Sequence, residues 1–171
     1  GDKVDDLWCG TFHSMCLRIL RANAEAAGYK PGFTIYDDDD SKKVMAEAYS
    51  KFSINDKILP VKTAKNVISG AKDKLITAEE FDADVGGDFK LQQISTIYTY
   101  YQSRLKETNA VDFDDIIMQT VFLFRNHPEI LAKYQRQFDY VLVDEFQDTN
   151  HAQLELALLL SGGSGNIMVV G

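Results

Sequence analysis

Cysteine is scarce in this chain, with only Cys9 and Cys16 among 171 residues. Two cysteines cannot make the disulfide framework of a small secreted fold, so reduced thiols and a cytoplasmic setting are expected. No apolar run approaches the roughly 20 residues that cross a bilayer. The opening Gly1-Asp2-Lys3-Val4-Asp5-Asp6 is polar and lacks the apolar stretch of a signal peptide. No membrane partner is expected. Basic charge is also short: 18 Lys and Arg face 26 Asp and Glu, a net charge of −8, which argues against a generic nucleic-acid binder with a basic surface. Internal repeats and low-complexity linkers are missing. So is any Gly-x-x-x-x-Gly-Lys-Ser/Thr loop, the usual phosphate cradle of nucleoside triphosphatases. With 45% hydrophobic and 26% charged residues, the chain still reads as globular, with enough length for one or two domains.

The pattern gives an α/β beginning, a long helical middle and an α/β end. Leu7 to Phe12 reads as a short strand, and Ser14 as the N-cap of a helix from Met15 to about Ala27 that Gly28 ends. Pro31-Gly32 marks a turn, and Phe33 to Tyr36 an extended piece. The acidic run Asp37 to Asp40 could suggest a metal loop. It precedes the helical pattern Val44, Met45, Ala48, Tyr49, Phe52, where carboxylates at a helix N-terminus complement its dipole, and capping is the expected role. Further helices are expected from about Val61 to Ala71, Ala78 to Asp82 and Leu91 to Thr108. The Ile94, Ile97, Tyr98, Tyr101, Leu105 stripe of the last reads as core rather than a base-stacking surface. Asp112 should cap a helix reaching Arg125, and Pro128 should open another to Arg136. A strand at Tyr140–Val143, a helix from about His151 to Leu160 and a strand at Ile167–Val170 complete the chain.

Two features carry candidate chemistry. The apolar run Tyr140-Val141-Leu142-Val143 ends in adjacent carboxylates, Asp144 and Glu145. A buried strand delivers acids in this way to the carboxyl edge of an α/β sheet, where ligands bind. The plain alternative is two acids facing solvent at an ordinary strand end. The second feature is a lysine-rich stretch. A helix over Val61 to Ala71, continued to Lys72, groups Lys62, Lys65, Ser69 and Lys72 on one side, beside a core stripe of Ala64, Val67, Ile68 and Ala71. This face is either simply solvated or a phosphate-contacting track for duplex DNA.

Beyond these residues, Asp144-Glu145-Phe146-Gln147-Asp148-Thr149 resembles motif II, Asp-Glu-x-Gln-Asp-Thr, of superfamily 1 helicases. Gly10-Thr11-Phe12-His13-Ser14 is similar to the Thr-Phe-His element of the UvrD/Rep/PcrA branch, and Val111-Asp112-Phe113-Asp114-Asp115-Ile116 resembles another stretch recurring there. The resemblance implies that Asp144 is the Mg²⁺ ligand and Glu145 the general base that activates water at the γ-phosphate of ATP. Gln147 and Asp148 would join them in the catalytic set, Gln147 also touching the nucleotide, and both linking that site to the DNA-facing motif. Thr11, Phe12 and His13 would meet single-stranded DNA. Phe146 departs from the Tyr often found there, which removes a hydroxyl and leaves the carboxylates intact. The implied fold is mainly α with a small parallel β portion. Residues 1–28 and 112–171 would be part of a P-loop (RecA-like) motor subdomain 1A, and residues 29–111 a helical insertion, subdomain 1B.

The implied activity is an ATP-dependent 3′-to-5′ helicase acting on single-stranded and forked DNA. The first residue is not Met, and Gly171 follows directly on an apolar strand. The expectation is therefore a piece of a larger enzyme, inactive alone and holding neither ATP nor Mg²⁺ by itself. Two alternatives stay open: the helicase subunit of a nuclease–recombination complex, and a non-enzymatic helical interaction module.

Overall fold

The structure, a computed structural model, describes residues 12–137, 141–144, 150–162 and 167–170, the two segments 141–144 and 167–170 by their backbone. Two compact units divide the chain: Gly32–Asp115, and Gly1–Pro31 together with Ile116–Gly171.

The central unit is a helical insertion between two very short strands. Strand β1 (Thr34–Ile35) pairs in parallel with β2 (Ala110–Val111), Thr34 opposite Ala110 and Ile35 opposite Val111. Parallel strands need a long crossover, and here the crossover is four helices: α2 (Asp38–Lys51), α3 (Val61–Asp73), α4 (Ala78–Asp84) and α5 (Phe89–Glu107). Helix α5 packs against the other three, burying Ile94, Ile97, Tyr98, Tyr101 and Leu105 at helical spacing. The core stripe of α5 is therefore as expected, and its tyrosines find internal partners. Tyr98 donates to the Ile76 carbonyl at 2.8 Å, which lets a buried hydroxyl sit in an apolar core at little cost.

The helix starts follow their caps. Asp37 accepts the Asp40 amide at 2.8 Å while Asp40 accepts the Asp37 amide at 3.1 Å, a reciprocal capping box at the head of α2. That amide bond, first among several, also holds the Asp37 carboxyl below its ordinary pKa. Thr77 and Asp88 cap α4 and α5 through the amides of Glu80 and Leu91. The ends are less orthodox. After α3, the Leu75 amide bonds the Lys72 carbonyl at 2.9 Å and the Ile76 amide bonds Ala71 at 2.8 Å, the Schellman pattern. The left-handed position that glycine usually fills is taken by Leu75 (φ 62°); after α2 it is taken by Ser53 (φ 52°). Phe52, expected in the α2 core stripe, is instead the C-cap, 39% exposed, with its ring edge-on to Tyr100 at 5.8 Å.

In the other unit, helix α1 spans Phe12–Ala22 and buries Cys16, Ile19 and Leu20. Ser14 lies exposed inside this helix rather than capping it, and Phe12 is helical rather than the end of a strand. The α-helix closes at Ala22, where the Asn23 side-chain amide donates to the Ile19 carbonyl at 2.8 Å. A further turn runs on to Gly28 (φ 91°), where the Tyr29 amide bonds Ala24 at 2.9 Å. Helices α6 (Phe113–Asn126) and α7 (Pro128–Gln137) follow. In α6, Val121, Leu123 and Phe124 are buried. Strand β3 (Val141–Asp144), helix α8 (His151–Ser161) and strand β4 (Ile167–Val170) form a parallel strand–helix–strand unit, with α8 packed against both strands. Asn150 caps α8 by accepting the Gln153 amide at 3.1 Å. The described residues are thus mainly helical with small parallel two-stranded sheets. No helix among them is long and apolar enough to cross a membrane.

Candidate functional site

Asp144 is the last residue of β3 and pairs in parallel register with Val170 of β4. The backbone of this acid therefore stands at the carboxyl end of parallel strands, the edge at which α/β sheets bind ligands. Glu145, Gln147 and Asp148 fall outside the described residues, as does Thr11. A single strand-end carboxylate suits Mg²⁺, which takes one or two carboxylates and completes its shell with phosphate and water. Among the described residues no cluster of His, Cys, Asp or Glu is assembled to hold a metal by itself, and this includes the acidic run at the head of α2.

Phe12 and His13 are the first described residues of α1, both half-buried. Burial lowers the His13 pKa from its ordinary 6.5, so its imidazole is neutral at pH 7. A neutral ring offers a hydrogen bond to phosphate rather than a charge. Cys16, one turn along, is fully buried, and that burial pushes its thiol up to about 12. It is a buried core residue whose thiol stays protonated at neutral pH.

The lysines expected on one face of α3 separate. Lys62 is exposed. Lys65 reaches Asp38 at 3.0 Å, an ion pair whose Asp side chain is 90% exposed. Ser69 donates to Asp114. Lys72 turns inward, and this corrects its expected place on a phosphate-contacting face: its side chain is 0% exposed. Its ammonium lies 2.9 Å from both Asp112 and Asp115 and 5.1 Å from the Tyr101 ring centroid. A side chain sealed in this way has no access to a DNA phosphate.

Around Lys72 the residues 112–115 build a polar cluster that residue-by-residue reading missed. Asp112 is the expected cap of α6: its Oδ1 accepts the Asp115 amide at 2.9 Å, and Asp115 Oδ2 returns the bond from the Asp112 amide at 3.1 Å. The same two carboxylates hold Lys72, tying α3 to the start of α6. Tyr101 of α5 donates to Asp112 at 2.8 Å and lies 2.9 Å from the Ser41 hydroxyl of α2; Gln102 donates to Asp115 at 3.1 Å. Burial disfavours the charge on Lys72, yet the two carboxylates outweigh it and hold the ammonium well above its ordinary pKa. Burial likewise works against Asp112, and Lys72 wins, leaving Asp112 below the usual carboxylate value. The signal was available in the spacing. Lys72 follows Ile68 by four residues, about 40° round the axis at 3.6 residues per turn, so it borders the buried stripe.

All 171 residues match the UvrD/REP helicase N-terminal domain family. Over 171 residues the chain is 40% identical to the ATP-dependent DNA helicase PcrA of Staphylococcus aureus strain COL, covering 100% of this chain and 23% of that protein. It is 41% identical, with the same coverage, to the ATP-dependent DNA helicase PcrA of Staphylococcus epidermidis. The chain thus spans 23% of the length of these curated relatives. With a family match running from end to end, the chain belongs to the UvrD/REP helicase N-terminal domain family.

Proposed function

We propose that this chain is part of an ATP-dependent DNA helicase that moves 3′ to 5′ on one strand and separates the duplex. The observation that carries the reading most is the acid at the carboxyl end of a parallel strand, Asp144 of β3, within a chain that matches a helicase domain family throughout. The relatives named ATP-dependent DNA helicase support the same reading. Asp144 would hold Mg²⁺, which would neutralise charge on the nucleotide phosphates. Glu145 takes the proton of the attacking water; Gln147 and Asp148 connect that site to the DNA track. Thr11, Phe12 and His13 meet the single strand through hydroxyl, ring and neutral imidazole. Unit 32–115 corresponds in this reading to subdomain 1B, and Lys62 with Lys65 forms its phosphate-contacting edge.

Residues 1–171 contain no phosphate loop, so by themselves they bind no Mg²⁺–ATP and do not turn it over. Asp144→Asn in the full-length protein tests the reading. The expected result is loss of DNA-stimulated ATP hydrolysis across a wide Mg²⁺ range, with the fold unchanged by circular dichroism. Hydrolysis at the wild-type rate in that variant would remove Asp144 from the site.

A further inference from the structure

Unit 32–115 buries two carboxylates against one ammonium. Lys72, Asp112 and Asp115 have side-chain exposures of 0%, 10% and 0%, so the cluster carries one excess negative charge away from water. An uncompensated charge in such a place costs several kcal/mol, roughly, and the cheapest relief is to take up a proton. Burial decides which carboxylate takes it. Each carboxylate meets three donors, Lys72, Tyr101 and the Asp115 amide at Asp112, and Lys72, Gln102 and the Asp112 amide at Asp115, but Asp115 is the more deeply buried of the two. Asp115 also faces Tyr98 of α5 and lies on the same helix as Asp114, whose own carboxyl is raised by burial. Beside Asp115 stands an orphan: Gln102 Oε1 is buried and has no hydrogen-bond partner among the described residues, while Gln102 Nε2 and Lys72 Nζ lie 3.1 and 2.9 Å from Asp115 Oδ1. Turning that amide by half a rotation exchanges its oxygen and nitrogen. The orphan oxygen then faces Asp115 Oδ1 at hydrogen-bonding range, and a proton on Asp115 fills the bond.

We propose that Asp115 is a buried proton-binding site, and that Gln102 is the amide that turns to accept the bound proton. The proton comes from solvent and stays on the Asp115 carboxyl; no covalent bond other than this O–H forms or breaks, and the Gln102 Nε2 hydrogen bond to Asp115 is exchanged for one accepted by Gln102 Oε1. Because Asp112 and Asp115 are also the capping box of α6, proton occupancy bears directly on the first turn of that helix. The pH dependence follows in sign. Burial first, then the charge of Asp112, pushes the Asp115 carboxyl up from 3.8 to about 6, so the folded chain binds this proton more tightly than the unfolded chain. The stability it contributes is full below 3.8 and is lost as pH rises through about 6.

Carboxyl-carbon NMR titration of the 171-residue chain tests this. Asp115 should titrate with a midpoint of about 6, and the Gln102 side-chain amide resonances should move over the same interval. A midpoint at or below the ordinary 3.8, or a Gln102 amide that stays still while Asp115 titrates, overturns the proposal. Asp115→Asn, which has no carboxyl to titrate, should remove the fall in unfolding stability between pH 3.8 and about 6. An unchanged fall in a folded Asp115→Asn chain also overturns it, and the wild-type titration decides alone if that variant does not fold.

Discussion

At the scale of single residues, the weight of this chain rests on Lys72. Its ammonium satisfies two buried carboxylates at once, and removing it leaves both without their cation. Breaking a buried pair from one side costs about 3–5 kcal/mol. Lys72→Met, which keeps much of the volume, should therefore lower the urea midpoint of unit 32–115 severely, while Lys62→Met on the exposed side of the same helix should leave it within error. Equal effects in the two variants would contradict the burial of Lys72. Cys16 gives a second test at this scale. With its thiol pushed up to about 12 and sealed from water, it should resist iodoacetamide at pH 8 in the folded chain and react only on unfolding. Neither residue announces itself by type. Lysine is usually exposed, and grouping Lys72 with Lys62 and Lys65 by charge ignored that it sits one helical turn past Ile68, at the margin of the apolar stripe.

Elements are where the sequence is most readable, and the reason is chemical. Asp37, Asp112 and Pro128 mark helix starts because a carboxylate can accept orphan amides and proline's missing N–H is harmless in the first turn; α2, α6 and α7 begin beside them as expected. The tyrosine stripe of α5 is core, as its helical spacing implies. Helix ends are harder, since three of them use non-glycine residues at left-handed positions: Ser53, Leu75 and Asn109. Tertiary packing holds Leu75 there, with its side chain buried. Ser53 has no such compensation, being exposed. Ser53→Gly should accordingly stabilise the chain by about 0.5–1 kcal/mol, since glycine adopts a positive φ without a Cβ clash. Leu75→Gly should instead destabilise it, because the relief of strain is smaller than the lost burial. Equilibrium urea unfolding measures both, and a stabilised Leu75→Gly variant would show that packing does not hold that turn. The pairing of β1 with β2 was not legible at all. Two-residue strands carry no alternating pattern, and their partners lie on opposite sides of four helices in the chain.

For the whole molecule, family membership is secure along all 171 residues, and the chain spans 23% of the length of the PcrA relatives it matches. The residues that carry the family resemblance were legible because adjacent carboxylates at the end of an apolar run stand out even in a chain of net charge −8. The duplex-contacting edge proposed for this chain is smaller than the lysine count implied, with Lys72 withdrawn from it and Lys65 paired to Asp38. Lys62→Ala with Lys65→Ala in the full-length protein should weaken forked-DNA binding and reduce the salt slope by up to about two. Unchanged affinity and slope would leave those lysines as a solvated face.

We propose that Asp144, the last residue of β3, and the adjacent Glu145 run the hydrolysis of ATP. This is tested most directly by Glu145→Gln in the full-length protein, with nucleotide binding and DNA-stimulated turnover measured on the same sample. If Glu145 takes the proton from water, binding is retained and turnover falls by roughly a hundredfold or more. Turnover at the wild-type rate, with binding intact, would mean that these carboxylates are only the solvated end of a strand.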